Sequence, residues 1–325
     1  MTLQPGFIFA GLLDGRGGAV PRLVEQLRAG RGDGLVEWVH LDLTSGAARD
    51  WLSAQPDVPA LAREGLLAPD TEPRLAEIEG GFLIILREVN THENTDPDDM
   101  ISLRMWVGRD RLITGRLRHL AAIEDIKGAL AAGTGPRAIT DFIAAVGRRM
   151  AQTKGRILHS LAAELDEIDE ELAAEGDLSA LRPRIADLRR RAIRMQRYFR
   201  PQRAVFQTIA EERAPWMDDH AAEELEALAA EFARLAGDIE AILGRAQVTQ
   251  DELRSLENHR SSRISLTLTV VAAIFLPLGF ATGLLGINVG GIPLAEDKQG
   301  FWVVVGLLVV LGVGLWFYFR NRRYL

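Results

Sequence analysis

The sequence lacks cysteine altogether, and this absence excludes two kinds of site. Without thiols the chain forms no disulfides and has no thiolate ligands for zinc. Basic residues are also in the minority, because 38 Lys and Arg stand against 45 Asp and Glu, for a formal net charge of −7. This balance argues against nucleic acid as a main partner, since proteins that bind it usually present excess positive charge.

Familiar catalytic motifs are missing as well. The sequence has no phosphate-binding loop, no nucleophile elbow and no cluster of metal ligands at a recognisable spacing. The apolar stretch Phe7–Leu13 is short, no basic residue precedes it and Asp14 follows it, so we do not expect a secretory signal. These absences predict a protein that is not an enzyme and needs no resident cofactor.

Charge is absent from two long stretches near the C-terminus, Ile264–Ala295 and Gln299–Phe319. A hydrocarbon core about 30 Å thick needs roughly 20 apolar helical residues, and both stretches reach that length. We therefore predict a first transmembrane helix at 264–287, an extracytoplasmic loop at 288–299 and a second transmembrane helix at 300–319.

Arginines flank both predicted spans on the same side. Arg254, Arg260 and Arg263 precede the first span, and Arg320, Arg322 and Arg323 lie in a basic tail, 320–325, after the second. The loop between the spans has a single basic residue, Lys298. The positive-inside rule then predicts a multi-pass protein of the cytoplasmic (inner) membrane, embedded in the lipid bilayer with both termini in the cytoplasm.

Residues 1–137 have the pattern of a cytoplasmic α/β domain. Strand-like stretches are Phe7–Leu13, Val36–Leu43, Arg74–Ile78, Phe82–Val89, Met100–Val107 and Leu112–Arg116. Turn signals at Glu79-Gly80-Gly81 and Gly108-Arg109-Asp110 predict two hairpins. Helices are predicted at Ala19–Ala29, Ala47–Ala54, Pro59–Leu66 and His119–Ala131.

Residues 138–263 are predicted to be helical, with a hairpin of helices at 138–175 and 178–212. Acids crowd the end of the first helix, from Glu164 to Glu175, and arginines crowd the start of the second, from Arg182 to Arg200. An antiparallel hairpin would pair the two sets. The arginines are also compatible with a nucleic-acid patch, but the neighbouring acids favour pairing within the hairpin.

A long stalk helix is predicted from Pro215 to Leu285, on the order of 100 Å at about 1.5 Å per residue. Its apolar residues keep 3–4 spacing over more than four heptads: Leu225, Leu228, Phe232, Leu235, Ile239, Ile242, Ala246, Thr249, Leu253 and Leu256. Either this seam packs on its own domain or it joins copies of the chain. Its length and regularity favour self-association.

The end of the first predicted span is unusual for a membrane helix. Pro277 loosens the helix, and small residues follow at Gly279, Gly283 and Gly286. Asn288 then places an amide at the membrane boundary, where a polar group is costly unless it serves a function. As a plain helix cap Asn288 would need no partner; as a functional residue it marks an ion entrance.

This stretch, Leu276 to Asn288, resembles the end of the first transmembrane helix of CorA-type divalent cation transporters, whose signature is Gly-Met-Asn. The variant Gly286-Ile287-Asn288, followed by Val289 to Pro293, resembles the ZntB-type zinc transporter branch. The resemblance extends over the whole chain, from the α/β domain to the basic tail. It implies a homopentameric funnel with one central pore that carries zinc, with protons as a coupled ion.

The resemblance also assigns site residues. Gly286, Ile287 and Asn288 correspond to the selectivity filter, and the pore-lining positions correspond to Ser265, Leu268, Ala272, Leu276 and Gly279. Ser265 and Gly279 replace the Met or Thr that is common in the magnesium branch, so the hydrophobic constriction is expected to differ.

Asparagine suits a filter because amide oxygens are neutral acceptors for the water shell of a divalent ion. Such a ring discriminates poorly among hydrated Zn, Mg, Co and Ni, because small hard cations keep their water. The choice of zinc over magnesium therefore depends on the resemblance.

Other charged residues provide weaker candidates. Glu296 and Asp297 in the outer loop could concentrate cations. His92, Asp96 and Asp98 lie in an acidic stretch that is either a metal site or, more simply, a solvated loop, since no ligand spacing supports a site. His259 lies near the predicted cytoplasmic pore mouth and is a candidate for handling protons or zinc.

Two alternatives stay open. One is a CorA-type channel for magnesium, cobalt or nickel. The other, from a different class, is a membrane-anchored coiled-coil scaffold or sensor, which would explain the heptads and the spans but neither Pro277 nor Asn288.

Overall fold

The computed structural model describes residues 4–23, 25–26, 35–69, 72–90, 100–174, 176–212, 217–286 and 299–321. The chain divides into two compact units, Met1–Val248 and Thr249–Leu325. Strands in the described ranges are β1 Phe7–Leu13, β2 Ala19–Pro21, β3 Val36–Asp42, β4 Arg74–Ile78, β5 Gly81–Val89, β6 Met100–Val107 and β7 Arg111–Arg116. Helices there are α1 Gly46–Ser53, α2 Ala60–Leu67, α3 Ala121–Ala131, α4 Ile139–Ala173, α5 Leu178–Glu212, α6 Asp219–Leu285 and α7 Gly300–Asn321.

The strands form one sheet in the order β2-β1-β3-β7-β6-β5-β4. Only the β3–β7 pairing is parallel among the pairs of described strands. Both predicted hairpins are confirmed, as β4–β5 and β6–β7. In the first, Glu79 and Gly80 have φ of 42° and 81°, and two consecutive positive φ angles match the twist of a tight hairpin.

One predicted helix is wrong. Ala19–Pro21 is a strand that pairs with Gly11–Leu13, where a helix was expected over Ala19–Ala29. The reason lies in the preceding turn, because Asp14 Oδ1 accepts hydrogen bonds from the amides of Arg16 (2.7 Å) and Gly18 (2.8 Å) and folds the chain back on β1. Pro21 is tolerated at the end of this edge strand, because the last hydrogen bond to β1 comes from the Arg22 amide, which donates to Ala10 O at 3.0 Å. Residues 24 and 27–29 lie outside the described ranges.

The sheet is covered on both faces by helices of the first unit. Val39 and Leu41 of β3 belong to a core that includes residues of α1 and α2. The alternate residues point the other way, so that Trp38 packs edge-on against Phe142 of α4 with ring centroids 4.9 Å apart. This two-sided burial explains why the central strands read as nearly continuous apolar runs.

The helical hairpin α4–α5 is held by the predicted ion pairs. Arg184 lies 2.6 Å from Glu171, and Arg191 lies 2.9 Å from Glu164. The acids of α4 also reach α6, because Arg245 contacts Asp166 (2.7 Å) and Asp169 (2.8 Å). The opposite charges are thus used inside one chain, as the sequence indicated.

The preference for self-association through the α6 seam is wrong for its first seven residues. Leu225, Leu228, Phe232, Leu235, Ile239, Ile242 and Ala246 are all buried within the single chain. Phe232 stacks on Phe206 of α5 at 5.0 Å, and a Cβ on Gly147 of α4 would lie 2.2 Å from Leu228. Regular 3–4 spacing predicts a buried stripe, and here α4 and α5 of the same chain cover it.

Candidate functional site

The predicted pore-lining residues share one face of α6 in the second unit. Ser265, Leu268, Ala272, Leu276 and Gly279 follow one another at steps of three or four residues, and all are exposed in the chain. The two leucines among them are 65% (Leu268) and 77% (Leu276) exposed. Gly283 and Gly286 continue the same row to the end of the helix. We call these seven residues the open face of α6.

The opposite face of this part of α6 packs on α7. Val270, about 140° from Ser265 around the helix at roughly 100° per residue, is only 3% exposed. A Cβ on Gly312 of α7 would lie 3.7 Å from Leu278. Half-buried residues of α7 recur at the same helical spacing: Val304 with its neighbour Val305, Leu308, Gly312, Leu315 and Phe319. The open face is therefore left uncovered by the second span.

Three threonine hydroxyls along this part of α6 are satisfied by the helix itself. Hydroxyl groups of Thr267, Thr269 and Thr282 donate to carbonyls three or four residues earlier, at 2.9, 2.8 and 3.0 Å. Such bonds let hydroxyl residues sit in an apolar environment. The helix also continues through Pro277, beside which Ala272, Phe275, Leu276, Gly279 and Phe280 line an open groove of about 690 Å³.

The predicted filter residues, Gly286 to Asn288, begin where helix α6 ends. The Gly286 amide donates to Thr282 O (3.0 Å) and Gly283 O (3.2 Å), which closes the last turn. Ile287 and Asn288 lie outside the described residues, as do the loop acids Glu296 and Asp297. Their roles stay predictions.

Arginines near the start of the apolar segment avoid the open face. Arg263 and Arg260 precede Ser265 by two and five residues, so at roughly 100° per residue they point about 160° and 140° away from it. A ring of such residues would be offset from any path along the open face, which reduces its repulsion of a cation. Arg322 and Arg323 lie outside the described residues.

The structure does not support the candidate metal ligands that lie outside the predicted spans. His92, Asp96 and Asp98 lie outside the described residues, and His259 is exposed on α6. Across the described ranges no three His, Asp or Glu residues are arranged to hold a metal ion. His40 is buried, with Nδ1 2.7 Å from Thr114 Oγ1, and burial holds its pKa well below the usual range, so it stays neutral.

Among the buried ionisable side chains that sequence reasoning missed are Lys154 and Glu88 of the first unit, which are 0% and 1% exposed. A signal for the lysine does exist. Lys154 occupies the apolar row of α4, four residues after Met150 and four before Leu158, where the helical period predicts a core residue.

Comparison with known proteins identifies the family. A family model described as "CorA-like Mg2+ transporter protein" matches residues 33–323. The chain is 32% identical to the divalent cation transporter CmaX of Pseudomonas aeruginosa, over 99% of this chain and 98% of that one. It is 30% identical to the zinc transport protein ZntB of Klebsiella pneumoniae, over 98% of this chain and 96% of the relative.

Solved structures agree with this assignment. The structure of full-length CmaX superposes with a TM-score of 0.85 at 30% identity and covers 99% of both chains. The CorA magnesium transporter from Methanocaldococcus jannaschii, at 23% identity, shares the fold with a TM-score of 0.78 over 89% of this chain and 92% of its own. Two helices, α6 and α7, are long and apolar enough to cross a membrane. By sequence match and fold, the chain belongs to the CorA-like Mg2+ transporter protein family.

Proposed function

We propose that this protein transports divalent metal cations, zinc foremost, across the cytoplasmic membrane through the central pore of a homopentamer. The observation that carries the proposal is the open face of α6. It is uncharged, α7 leaves it uncovered, and it leads directly to Gly286-Ile287-Asn288. Relatives named as a zinc transport protein and a divalent cation transporter support the same function.

The open face can form an ion path if several copies of the chain surround one axis. An exposed apolar row at membrane depth would otherwise face lipid, and small residues such as Gly279 and Gly283 allow helices to approach one another closely. Five copies would enclose a narrow path without fixed charge, which a hydrated ion crosses without being trapped. At its outer end, Asn288 amides would accept hydrogen bonds from the water shell of the ion.

Attraction of the cation comes from elsewhere in this proposal. With both termini in the cytoplasm, Glu296 and Asp297 lie in the outer loop and raise the local cation concentration. Arg260 and Arg263 lie on the far side of α6 from the open face and stay out of the path.

Zinc is preferred here because of the ZntB relatives, whereas an amide ring alone does not distinguish hydrated zinc from magnesium, cobalt or nickel. Coupling to protons is part of the same proposal. The scaffold alternative loses its main argument, since the heptad seam from Leu225 to Ala246 is occupied by α4 and α5 of the same chain.

The test is ion uptake by liposomes that contain the full chain, with zinc, magnesium and cobalt measured separately. Asn288→Ala should abolish or strongly reduce flux of all three ions. Asn321→Ala, which removes an amide at the end of α7, is the matched control and should leave flux unchanged. Full zinc flux in Asn288→Ala would refute the filter role.

The same liposomes test coupling to protons. If protons move with zinc, an imposed pH gradient should change the initial rate of zinc uptake at a fixed zinc gradient. A rate independent of the pH gradient would remove proton coupling from the proposal and leave cation transport in place.

A further inference from the structure

Lys154 is a buried lysine of the first unit, and it lies close to aromatic side chains of α5 and α6. Lys154 of α4 is 0% exposed. Its Nζ lies 5.9 Å from the ring centroid of Phe199 on α5 and 5.5 Å from that of Phe232 on α6. Two aromatic faces stabilise a cation only partly, because they replace few of the hydrogen bonds that water would provide.

Lys154 attaches the helices to the sheet. Its Nζ donates to Arg87 O of β5 at 2.7 Å, and Gln202 Oε1 of α5 accepts from the Arg87 amide at 3.1 Å. Pairing of β4 with β5 extends only to Ile85, so the Arg87 peptide lies beyond the strand that would otherwise satisfy it. Side chains from α4 and α5 thus take the place of a neighbouring strand.

Glu88 follows Arg87 in β5, and its side chain is also buried, at 1% exposed. Burial raises its pKa, against the opposing effects of Lys154, the Ala122 amide and Arg149. Burial likewise lowers the pKa of Lys154 to about 7, although the Glu88 charge acts in the opposite direction.

Among the described residues, two further charges act on Glu88. Asp125 of α3 and Arg149 of α4 act on Glu88, and they form an ion pair with each other at 2.6 Å. Phe199 of α5 and Phe232 of α6, which lie near Lys154 Nζ, carry no charge, and neither does Gln202, which accepts from the Arg87 amide.

We propose that Lys154 and Glu88 form a buried proton-binding site, through which the attachment of β5 to the helical hairpin α4–α5 responds to pH. The site is independent of the transport proposal. It acts on the first unit alone, and its ligand is the proton.

The sign follows from the two pKa shifts. When β5 detaches, Lys154 becomes solvated and recovers an ordinary pKa near 10.5, so above pH 7 detachment takes up a proton. The attachment therefore strengthens as pH rises, and the opening constant falls about tenfold per pH unit between roughly 7 and 10. Glu88 acts at lower pH. In the attached state it keeps its proton above the ordinary pKa of 4.5, whereas detached Glu88 releases it. Its contribution to the attachment is therefore lost as pH rises through its raised pKa.

The experiment is hydrogen exchange of the Gly81–Val89 segment in the full chain between pH 6 and pH 9, corrected for the pH dependence of chemical exchange. The opening constant of the natural protein should fall roughly hundredfold more than that of Lys154→Met, in which the titrating amine is gone. Lys127→Met, on the partly exposed α3 lysine, should behave like the natural protein. Equal pH dependence in Lys154→Met and the natural protein would overturn the proposal.

A second variant keeps the test decisive if Lys154→Met does not fold. Glu88→Gln removes the negative charge that raises the pKa of Lys154, so the onset of the fall in opening constant should move to lower pH. An onset that stays where the natural protein has it would contradict the pairing of the two residues.

Discussion

Phe232 gives the clearest test of where the α6 seam packs. Its side chain is fully buried and stacks on Phe206 of α5 at 5.0 Å. Removing a buried phenylalanine side chain costs about 3–5 kcal/mol, since the lost transfer free energy adds to that of the cavity. For a unit of 150–250 residues, about 1 kcal/mol lowers Tm by roughly 2–4 °C, so Phe232→Ala should lower Tm by roughly 6–20 °C.

The assay is thermal unfolding of the full chain in detergent, followed by far-UV circular dichroism at two protein concentrations tenfold apart. Val248→Ala is the matched control, because Val248 lies on the same helix but is 66% exposed. This control should change the free energy of unfolding by less than about 0.5 kcal/mol.

Concentration separates the two explanations of the seam. If Phe232 packs inside its own chain, the loss in Tm is the same at both concentrations. A seam between chains would give a loss that grows on dilution, because dissociation then accompanies unfolding. That result, or an unchanged Tm with weakened oligomers, would refute the intrachain packing.

Two further predictions concern the same helical region. In Gly147→Ala the new Cβ would lie 2.2 Å from Leu228, and such overpacking costs about 1–3 kcal/mol. The gain in helix propensity offsets roughly 1 kcal/mol of this cost, so the free energy of unfolding should fall by the difference. Gly155→Ala, whose Cβ would meet its nearest neighbour at 3.7 Å, should be neutral or stabilising; thermal unfolding that ranks the two variants in the opposite order would contradict the close packing. Arg245→Ala should cost at most about 1 kcal/mol and less in high salt, since its ion pairs with α4 are largely exposed. A loss that persists at 1 M salt in denaturant unfolding would show that these pairs are stronger than their exposure implies.

Local patterns predicted most of the sheet and the hairpin helices. The β4–β5 hairpin followed from Glu79-Gly80-Gly81 between two apolar runs, because glycine at a turn needs little other context. The α4–α5 ion pairs followed from acids and arginines that are close in sequence, such as Glu171 and Arg184. In both cases the partners lie within one hairpin.

Features that depend on distant partners could not be predicted in this way. The strand Ala19–Pro21 is too short to show alternation, and its pairing depends on the Asp14 turn. The α6 seam indicated a buried face without indicating which helices bury it. A single lysine in the apolar row of α4 does not reveal that its amine donates to the Arg87 carbonyl of β5.

The candidate site was predicted in a different way. Five residues of the open face, from Ser265 to Gly279, were assigned as pore-lining from resemblance, and they do share one exposed face. Their lining of a pore stays a prediction, because the face becomes a path only when several copies surround it.

The absence of native cysteine allows the most direct test of the ion path. Leu276→Cys places the only thiol on the open face, whereas Val271→Cys places it on the same helix about 140° away, at a position that is also exposed in the single chain. A small charged thiol reagent is added to liposomes while zinc flux is recorded. The account predicts that the reagent blocks flux through Leu276→Cys and leaves Val271→Cys active. Continued flux through modified Leu276→Cys, or equal block of both variants, would contradict a cation path along this face of α6.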